Sequence, residues 1–457
     1  MFFCSKLLSR KVCFVAIAFL LTSTSSFAEP PTKTIAPKNI ILMIGDGMGP
    51  AQIKAYRLYK DNLATAGVDP ITLDAFLVGT LATEPAAAAD ADDHVHSTYI
   101  VTDSAASATA YSTGQRTYNG AVGVDLERQP MSTVLEQAKQ VGKKVGLVAT
   151  SQIVHATPAS FIAHVDSRRK YNDIADAFVD NQLNEQPLLD VFLGGGWRYF
   201  KRDDRDLTKE LQSFGYQIVR TRQELLTASK KVAGLFAEVA LSPAIDRTDD
   251  EPSLKEMTEA AISRLDNPQG FFLMVEGSQI DWSGHANDIA GVVNEMDDFH
   301  QAIQAAIAFA EKDGDTLVIV TADHETGGLS IGRNLEKKSV YAYNVAPIKG
   351  LEQSLPAYQK EILATRNNRA FLQHSGIELT DDEQKQWKEI SKKLEKEAVW
   401  QWLVGVMSRA TLTGWTTNGH TGVDVNIYAF GPGATAFYGY HDNTHVGQAI
   451  RRWLTPK

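Results

Sequence analysis

Acids, histidines and one serine recur at corresponding places in this 457-residue chain, most of them just beyond an apolar run. Asp46 sits in Gly45-Asp46-Gly47-Met48-Gly49, and Ser104 opens the small-residue stretch Ser104-Ala105-Ala106-Ser107-Ala108. His155 and Thr157 lie in His155-Ala156-Thr157-Pro158, with Arg168 ten residues past that proline. Glu276 is followed by Asp281-Trp282-Ser283-Gly284-His285, and further on come Asp323-His324-Glu325 and Gly419-His420-Thr421-Gly422. A serine hydroxyl is a poor nucleophile at neutral pH and needs a neighbouring base or a metal. No G-x-S-x-G elbow surrounds Ser104, and the acids and histidines exceed what a Ser-His-Asp triad requires, so metal activation is the better reading. Mixed His and Asp donors suit zinc, whereas Asp, Glu and Thr oxygens suit magnesium. Two ions ~4 Å apart would clamp the attacking and leaving oxygens of an in-line displacement, which is a design for phosphoryl transfer.

Each of these groups has a plainer explanation when taken alone. Asp46 fits a structural turn, Ser104 fits a cap on an Ala-rich helix, and His155 and Thr157 fit loop positions. The glycines around Asp46 do not have the G-x-G-x-x-G spacing of a dinucleotide loop, and the acid stands where a pyrophosphate would come. Asp281 and His285 are four apart, so one helical turn would put both on one face. Recurrence at strand ends is the stronger signal, because open α/β sheets hold ligands beyond the carboxyl ends of their strands.

The elements that must position these groups read as an α/β alternation. Continuous apolar runs over Asn39 to Ile44, Val145 to Thr150, Phe271 to Val275 and Thr316 to Thr321 predict buried parallel strands, and residues 170 to 270 alternate helical and strand-like segments, including Leu188 to Leu193. A further strand is expected over Ser97 to Val101, leading into Ser104, with a helix following whose free N–H groups and dipole favour an anion. Tyr111 to Gly120 reads as a turn-rich loop, and Met131 to Gln140 as a helix. His155 and Thr157 are expected to alternate on one side of an extended segment. An amphipathic helix is predicted over Ile289 to Lys312, stopped at Gly314. From about residue 330 to 413 the texture becomes charged, with a capping box at Thr380-Asp381-Asp382-Glu383, and this stretch reads as a helical insertion. His441 and His445, and likewise His94 and His96, are assigned surface or loop places with no catalytic part.

With 44% hydrophobic and 22% charged residues the chain can bury a large core. Its N-terminus carries Lys6, Arg10 and Lys11, an apolar run from Val12 to Leu21, and small residues ending Ser26-Phe27-Ala28. Residues 1–28 therefore read as a cleavable signal peptide and 29–457 as one catalytic domain; the apolar run falls short of the ~20 residues of a spanning helix. Both cysteines, Cys4 and Cys13, fall in the leader, so the exported product, periplasmic or secreted, would hold no disulfide. A net charge of −10 and a pI near 5.6 argue against a nucleic-acid surface, and no membrane contact is expected after cleavage.

Taken together, TDSAASATAYSTG, GDGMG, the ATP after His155, Asp281-x-x-x-His285, TADHETGG and GHTG resemble the alkaline phosphatase family from about Asn39 to His445. That resemblance implies a three-layer α/β sandwich around a mostly parallel sheet and a homodimer. It implies Ser104 as the phosphorylated nucleophile and Arg168 as a bidentate clamp on phosphate, with Asp103 orienting Arg168. Asp281, His285 and His420 would hold one zinc, and Asp46, Asp323 and His324 a second. Asp46 would also bridge toward a magnesium bound by Thr157 and Glu276. The implied cycle is attack of Ser104 on a phosphomonoester, loss of the alcohol, and hydrolysis of the phosphoserine by a zinc-bound hydroxide, releasing inorganic phosphate and favoured by high pH. His155 and Trp282 depart from the best-known bacterial members, which have Asp and Lys there; a neutral imidazole in place of a carboxylate favours zinc over magnesium at the third site. Within the superfamily a phosphodiesterase or sulfatase is the rival, though the x-Pro-x-Arg pattern of sulfatases is missing after Ser104. Outside it, an exported phosphate-binding protein is the alternative, one that would need neither histidine ligands nor a nucleophile.

Overall fold

The computed structural model describes residues 36–62, 64–87, 100–229, 231–335 and 338–455; the leader, both cysteines, His94 and His96 lie outside them. Apolar runs without polar alternation must be covered on both faces, and here they become the centre of a sheet. Its strands in chain order are β1 (Asn39–Gly45), β2 (Leu77–Ala82), β3 (Lys144–Gln152), β4 (Val191–Gly195) and β5 (Gln217–Val219), then β6 (Val232–Leu235), β7 (Phe271–Gly277), β8 (Thr316–Ala322), β9 (Val425–Phe430) and β10 (Gly439–Asp442). They lie side by side as β10-β2-β9-β8-β1-β7-β3-β4-β6-β5. Only β9 runs against its neighbours, β8 and β2; the other pairings are parallel.

Every residue of β1, β7 and β8 is buried, and each large apolar side chain so covered contributes roughly 1.5–3 kcal/mol. The cover comes from two groups of helices. Helices Pro50–Lys60, Leu254–Leu265 and Ile289–Asp313 pack on one another, as do Ser104–Thr113, Val134–Gln140, Ala156–Ile162 and Thr444–Leu454. The resulting architecture is a three-layer α/β sandwich. The long helix Ile289–Asp313 begins where the Asp288 carboxylate accepts from the amides of Ala290 and Gly291, and stops at Gly314 in the left-handed conformation.

Several local expectations are corrected. Ile100 and Val101, the described part of the strand expected before Ser104, form no strand. Tyr111 to Thr113 belong to the Ser104 helix, because the small side chains let it pack fully buried. The helix expected from Met131 starts at Val134, where Thr133 and Glu136 form a capping box. His155 and Thr157 do not alternate along an extended segment: His155 is the cap residue and Thr157 lies in the helix Ala156–Ile162. Between residues 330 and 413 lie five helices among the described residues, one opened by the Thr380 capping box. The ends of that stretch meet, since Ser330–Ile331 pairs with Thr413–Gly414. Among the described residues no helix is long and apolar enough to cross a membrane.

Candidate metal and phosphate centre

The register of the three central strands brings the acids together. Gly45 pairs with Ala322 on one side and Gly277 on the other, so Asp46 meets Glu276 and Asp323 at one end of the sheet although both lie more than 200 residues from it in sequence. The turn after β1 is tight: Gly47 has φ of 71°, and a Cβ there would come within 2.8 Å of the Asp281 backbone. Its amide donates to Asp323 Oδ1 at 3.0 Å. Asp281 and His285 lie on the short helix Gln279–His285, with His285 Nε2 3.3 Å from Asp281 Oδ2, as their spacing predicts. His420 arrives on a two-residue strand paired with Glu325–Thr326. Glu325 locks this pairing by accepting from Gln52 at 2.7 Å, from the amides of Gly328 and Leu329, and from the Thr421 hydroxyl.

Hydrogen bonds fix which nitrogen each histidine turns inward. His285 Nδ1 donates to the Asn418 carbonyl (2.5 Å) and His420 Nδ1 to the Thr102 carbonyl (2.8 Å). The Thr326 hydroxyl donates to Asp281 Oδ1 (2.5 Å), so its oxygen accepts from His324 Nδ1 (3.2 Å). All three rings thereby turn Nε2 toward the acids, without a proton in His324 and His420, which is the arrangement that metal-binding imidazoles adopt. His420 Nε2 is 3.2 Å from His285 Nε2 and 3.6 Å from Asp281 Oδ1.

Three groups of ligand atoms follow: Asp281, His324 and His420; Asp46, Asp323 and His324; and Asp46, His155 and Glu276, each set lying within 4.8 Å of one another. His324 therefore joins both of the first two groups, its ring stacked on His420 with centroids 3.5 Å apart. The third group brings in His155 beside Glu276. Ser104, 1% exposed, stands against the first two, with Oγ 3.2 Å from His324 Nε2. Asp103 caps its helix by accepting from the Ala106 amide, and it also accepts from the Gly120 amide and from Arg168 at 2.9 Å. The second arm of Arg168 donates to His155 Nε2 at 3.1 Å, a contact that the sequence spacing did not suggest. Trp282 meets His155 edge-on, centroids 5.9 Å apart.

Electrostatics make this a place that requires cations. Burial, reinforced by Asp323, Asp281 and Glu276, pushes the Asp46 carboxyl well above the ordinary carboxylate range. Burial and the Asp281 charge push Asp323 up to about 7, and burial raises Glu276. Burial also drives His324 well below the usual imidazole range and His155 down to about 3, the latter helped by Arg168. Of the histidines at this site, His285 alone moves up, to about 9, through its hydrogen bond to Asp281. Both oxygens of Asp46, Oδ2 of Asp323, Oε1 of Glu276, Oγ1 of Thr157 and Nδ1 of His155 are buried with no hydrogen-bond partner among the described residues. Asp323 Oδ2 lies 3.2 Å from His324 Nε2, a repulsive contact for an ionised carboxylate and a bare nitrogen unless a proton or a metal ion stands between. Orphaned hard oxygens together with inward imidazoles are the donor set of divalent zinc and magnesium, so the residues fit such ions.

The supporting residues were mostly silent in the sequence. Ser278 Oγ donates to Glu276 at 2.6 Å and accepts from the Ser151 amide, and Asn119 Oδ1 accepts from the Asp103 amide. Thr326 lies in the TADHETGG run, yet only its two bonds reveal its part. His441 and His445 stack on each other at 4.0 Å and enter none of the three groups.

The geometry has independent counterparts. The family model described as alkaline phosphatase matches residues 37–455. Alkaline phosphatase 3 of Bacillus subtilis is 45% identical over 91% of this chain and 89% of its own. The crystal structure of a cold-active alkaline phosphatase from a psychrophilic Shewanella superposes with a TM-score of 0.83 at 39% identity, covering 92% of this chain and all of that one. A variant of the alkaline phosphatase from the Antarctic bacterium TAB5, with a histidine replaced by aspartate and Mg bound in its M3 site, is 30% identical at a TM-score of 0.65 over 92% of this chain and 99% of its own. A sheet whose central strand ends gather buried acids and histidines around a serine is thus found with matching sequence over nearly the whole length, and the chain belongs to the alkaline phosphatase family.

Proposed function

We infer that, as a member of that family, the protein is a phosphatase, a hydrolase of phosphate monoesters that uses divalent metal ions. We propose that it works through a phosphoserine on Ser104 beside two zinc ions and one magnesium ion. Asp281, His285 and His420 would hold the first zinc, Asp46, Asp323 and His324 the second, and Asp46, Glu276, Thr157 and His155 the third ion. The ions supply positive charge that favours the ionised serine and water and offsets the charge developing on the transferred group. Arg168, aimed by Asp103, orients the phosphate oxygens and charges the pocket for a terminal phosphate rather than a diester. Ser104 Oγ attacks phosphorus as the ester bond to the alcohol breaks, the alcohol takes up a proton and leaves, and water then cleaves the phosphoserine to give inorganic phosphate. The Ser104 hydroxyl lies 3.2 Å from His324 Nε2, the nitrogen that would hold the second ion, so its oxygen stands where that ion's charge would favour the ionised form.

The reading rests on one observation above all, the placement of a buried serine against two clusters of candidate ligand atoms with an arginine beside it. A phosphate-binding protein has no use for that placement. Hydrolysis of a monoester and a diester, measured at alkaline pH before and after chelation and zinc return, tests it. Monoester turnover that disappears with the metal and returns with zinc supports the reading; preference for the diester, or indifference to the chelator, overturns it. We further infer that the enzyme is exported behind residues 1–28, acts as a homodimer, and carries residues 330–413 as an insertion.

A further inference from the structure

Next to the metal centre, but on the other side of Trp282, lies a cavity of about 210 Å³ that the chemistry above does not use. Trp282, Leu351, Pro356 and Trp400 give it apolar walls. Three of these come from the stretch between residues 330 and 413. A cavity of ~150 Å³ with such walls holds a benzene ring, so this one has room for a ring and a short side chain. Two carboxylates, Asp288 and Glu295, also line it, from positions seven apart on one face of the helix Ile289–Asp313 and its cap.

Both acids are almost fully buried, 3% and 4% exposed. Asp288 accepts from the amides of Ala290 and Gly291, both through Oδ1, and Glu295 accepts from the Ala244 amide through Oε1. Among the described residues neither Asp288 Oδ2 nor Glu295 Oε2 has a hydrogen-bond partner. Arg247 is the nearby cation, and its guanidinium is committed to Asp298 at 2.7 Å. Burial pushes Asp288 up to about 6 and Glu295 up to about 7, in spite of the amides and Arg247. At the alkaline pH of the enzyme both are therefore ionised, two negative charges facing an apolar space. Buried anions of this kind are stable only when a cation meets them. The rings of Trp282 and Trp400 would favour the same occupant, because an aromatic face attracts an organic cation.

We propose that this cavity is a second binding site, selective for a small protonated amine with an apolar body, such as an arylalkylammonium ion. The ammonium group would lie between Asp288 and Glu295 and the apolar body against the two tryptophans. Neutral alcohols of the same shape lose the charge recognition, and anions are excluded.

Calorimetric titration of the zinc- and magnesium-loaded enzyme with benzylammonium tests this at about pH 7.5. Saturating inorganic phosphate is present throughout, so that the catalytic centre is filled and its metals are not open to the amine. The expected result is one saturable site, with benzyl alcohol binding at least tenfold more weakly. Glu295→Gln keeps the acceptor for Ala244 and Asp288→Asn keeps a capping side chain, and each is expected to weaken benzylammonium at least tenfold. Absence of saturable binding, or equal affinity for amine and alcohol, overturns the proposal, and both comparisons need only the unaltered enzyme. Undiminished amine affinity in folded Glu295→Gln and Asp288→Asn overturns it as well. Phosphatase activity is not the readout, so failure here leaves the reading of Ser104 and its metals standing.

Discussion

Removing the metal ions should turn the catalytic centre into a pH-dependent weak point, and Asp323 gives the size of the effect. Its carboxyl is fully buried among Asp46, Asp281 and Glu276 and moves from 3.8 to about 7 in the metal-free fold. A carboxyl raised in the folded state holds its proton there while the unfolded chain has already released it. Stability therefore falls as pH rises through the interval from about 4 to about 7, and the full loss remains above it. That interval corresponds to about 4 kcal/mol, an order-of-magnitude figure because the four acids titrate together. With an unfolding entropy of about 2.1 cal/mol/K per residue, a chain of this length would melt about 5 °C lower. Scanning calorimetry of the chelated protein from about pH 5 to about pH 8 should show that decline, and zinc at the upper end should reverse it. Asp323→Asn keeps an acceptor for the amides of Gly47 and His324 while removing the charge. The metal-free variant should be more stable than the metal-free parent at about pH 8, and should gain less from zinc. A metal-free parent whose melting does not change with pH, or an Asp323→Asn variant that melts below it, would refute the reasoning.

Arg168→Lys removes one arm of a guanidinium that touches both Asp103 and His155. Charge-assisted hydrogen bonds are worth about 1.5–3 kcal/mol, so phosphate inhibition should weaken at least tenfold; an unchanged inhibition constant excludes Arg168 as the clamp. His155→Asp with Trp282→Lys restores a carboxylate beside Asp46 and Glu276 and a cation at the rim. Magnesium preference at the third site should rise and phosphate inhibition tighten, with turnover falling where release is limiting. Zinc-titration curves and phosphate inhibition constants equal to the parent's would contradict this.

The sheet and its ligand-bearing ends were legible because both follow from local pattern. Apolar runs such as Ile40 to Ile44 can only be covered on two sides, and an acid just past such a run must lie at the carboxyl end of a strand. Asp281-x-x-x-His285 was legible for the same reason, since one helical turn sets the distance. His155 and Thr157 were misplaced because the Pro158 region reads equally well as an extended segment and as a first helical turn, where proline is tolerated. Only the first three residues of the loop expected from Tyr111 to Gly120 joined the preceding helix, because tertiary burial of Tyr111, whose hydroxyl donates to the Ala322 carbonyl, extends what local propensity would have ended. The partners of the histidines could not be read at all. His285 and His420 are aimed by the carbonyls of Asn418 and Thr102, groups that every residue carries. Contacts such as Ser104 with His324 join positions 220 apart and exist only once the sheet is assembled.

The central claim is that phosphate passes through a covalent bond to Ser104. The metal-loaded enzyme, given labelled phosphate and quenched at acid pH, where breakdown of the phosphoserine is slowed, should release on digestion a single labelled peptide. That peptide should carry the label on Ser104, and Ser104→Ala should lose both the label and turnover by orders of magnitude. Label on another residue, together with full activity in Ser104→Ala, would contradict the account.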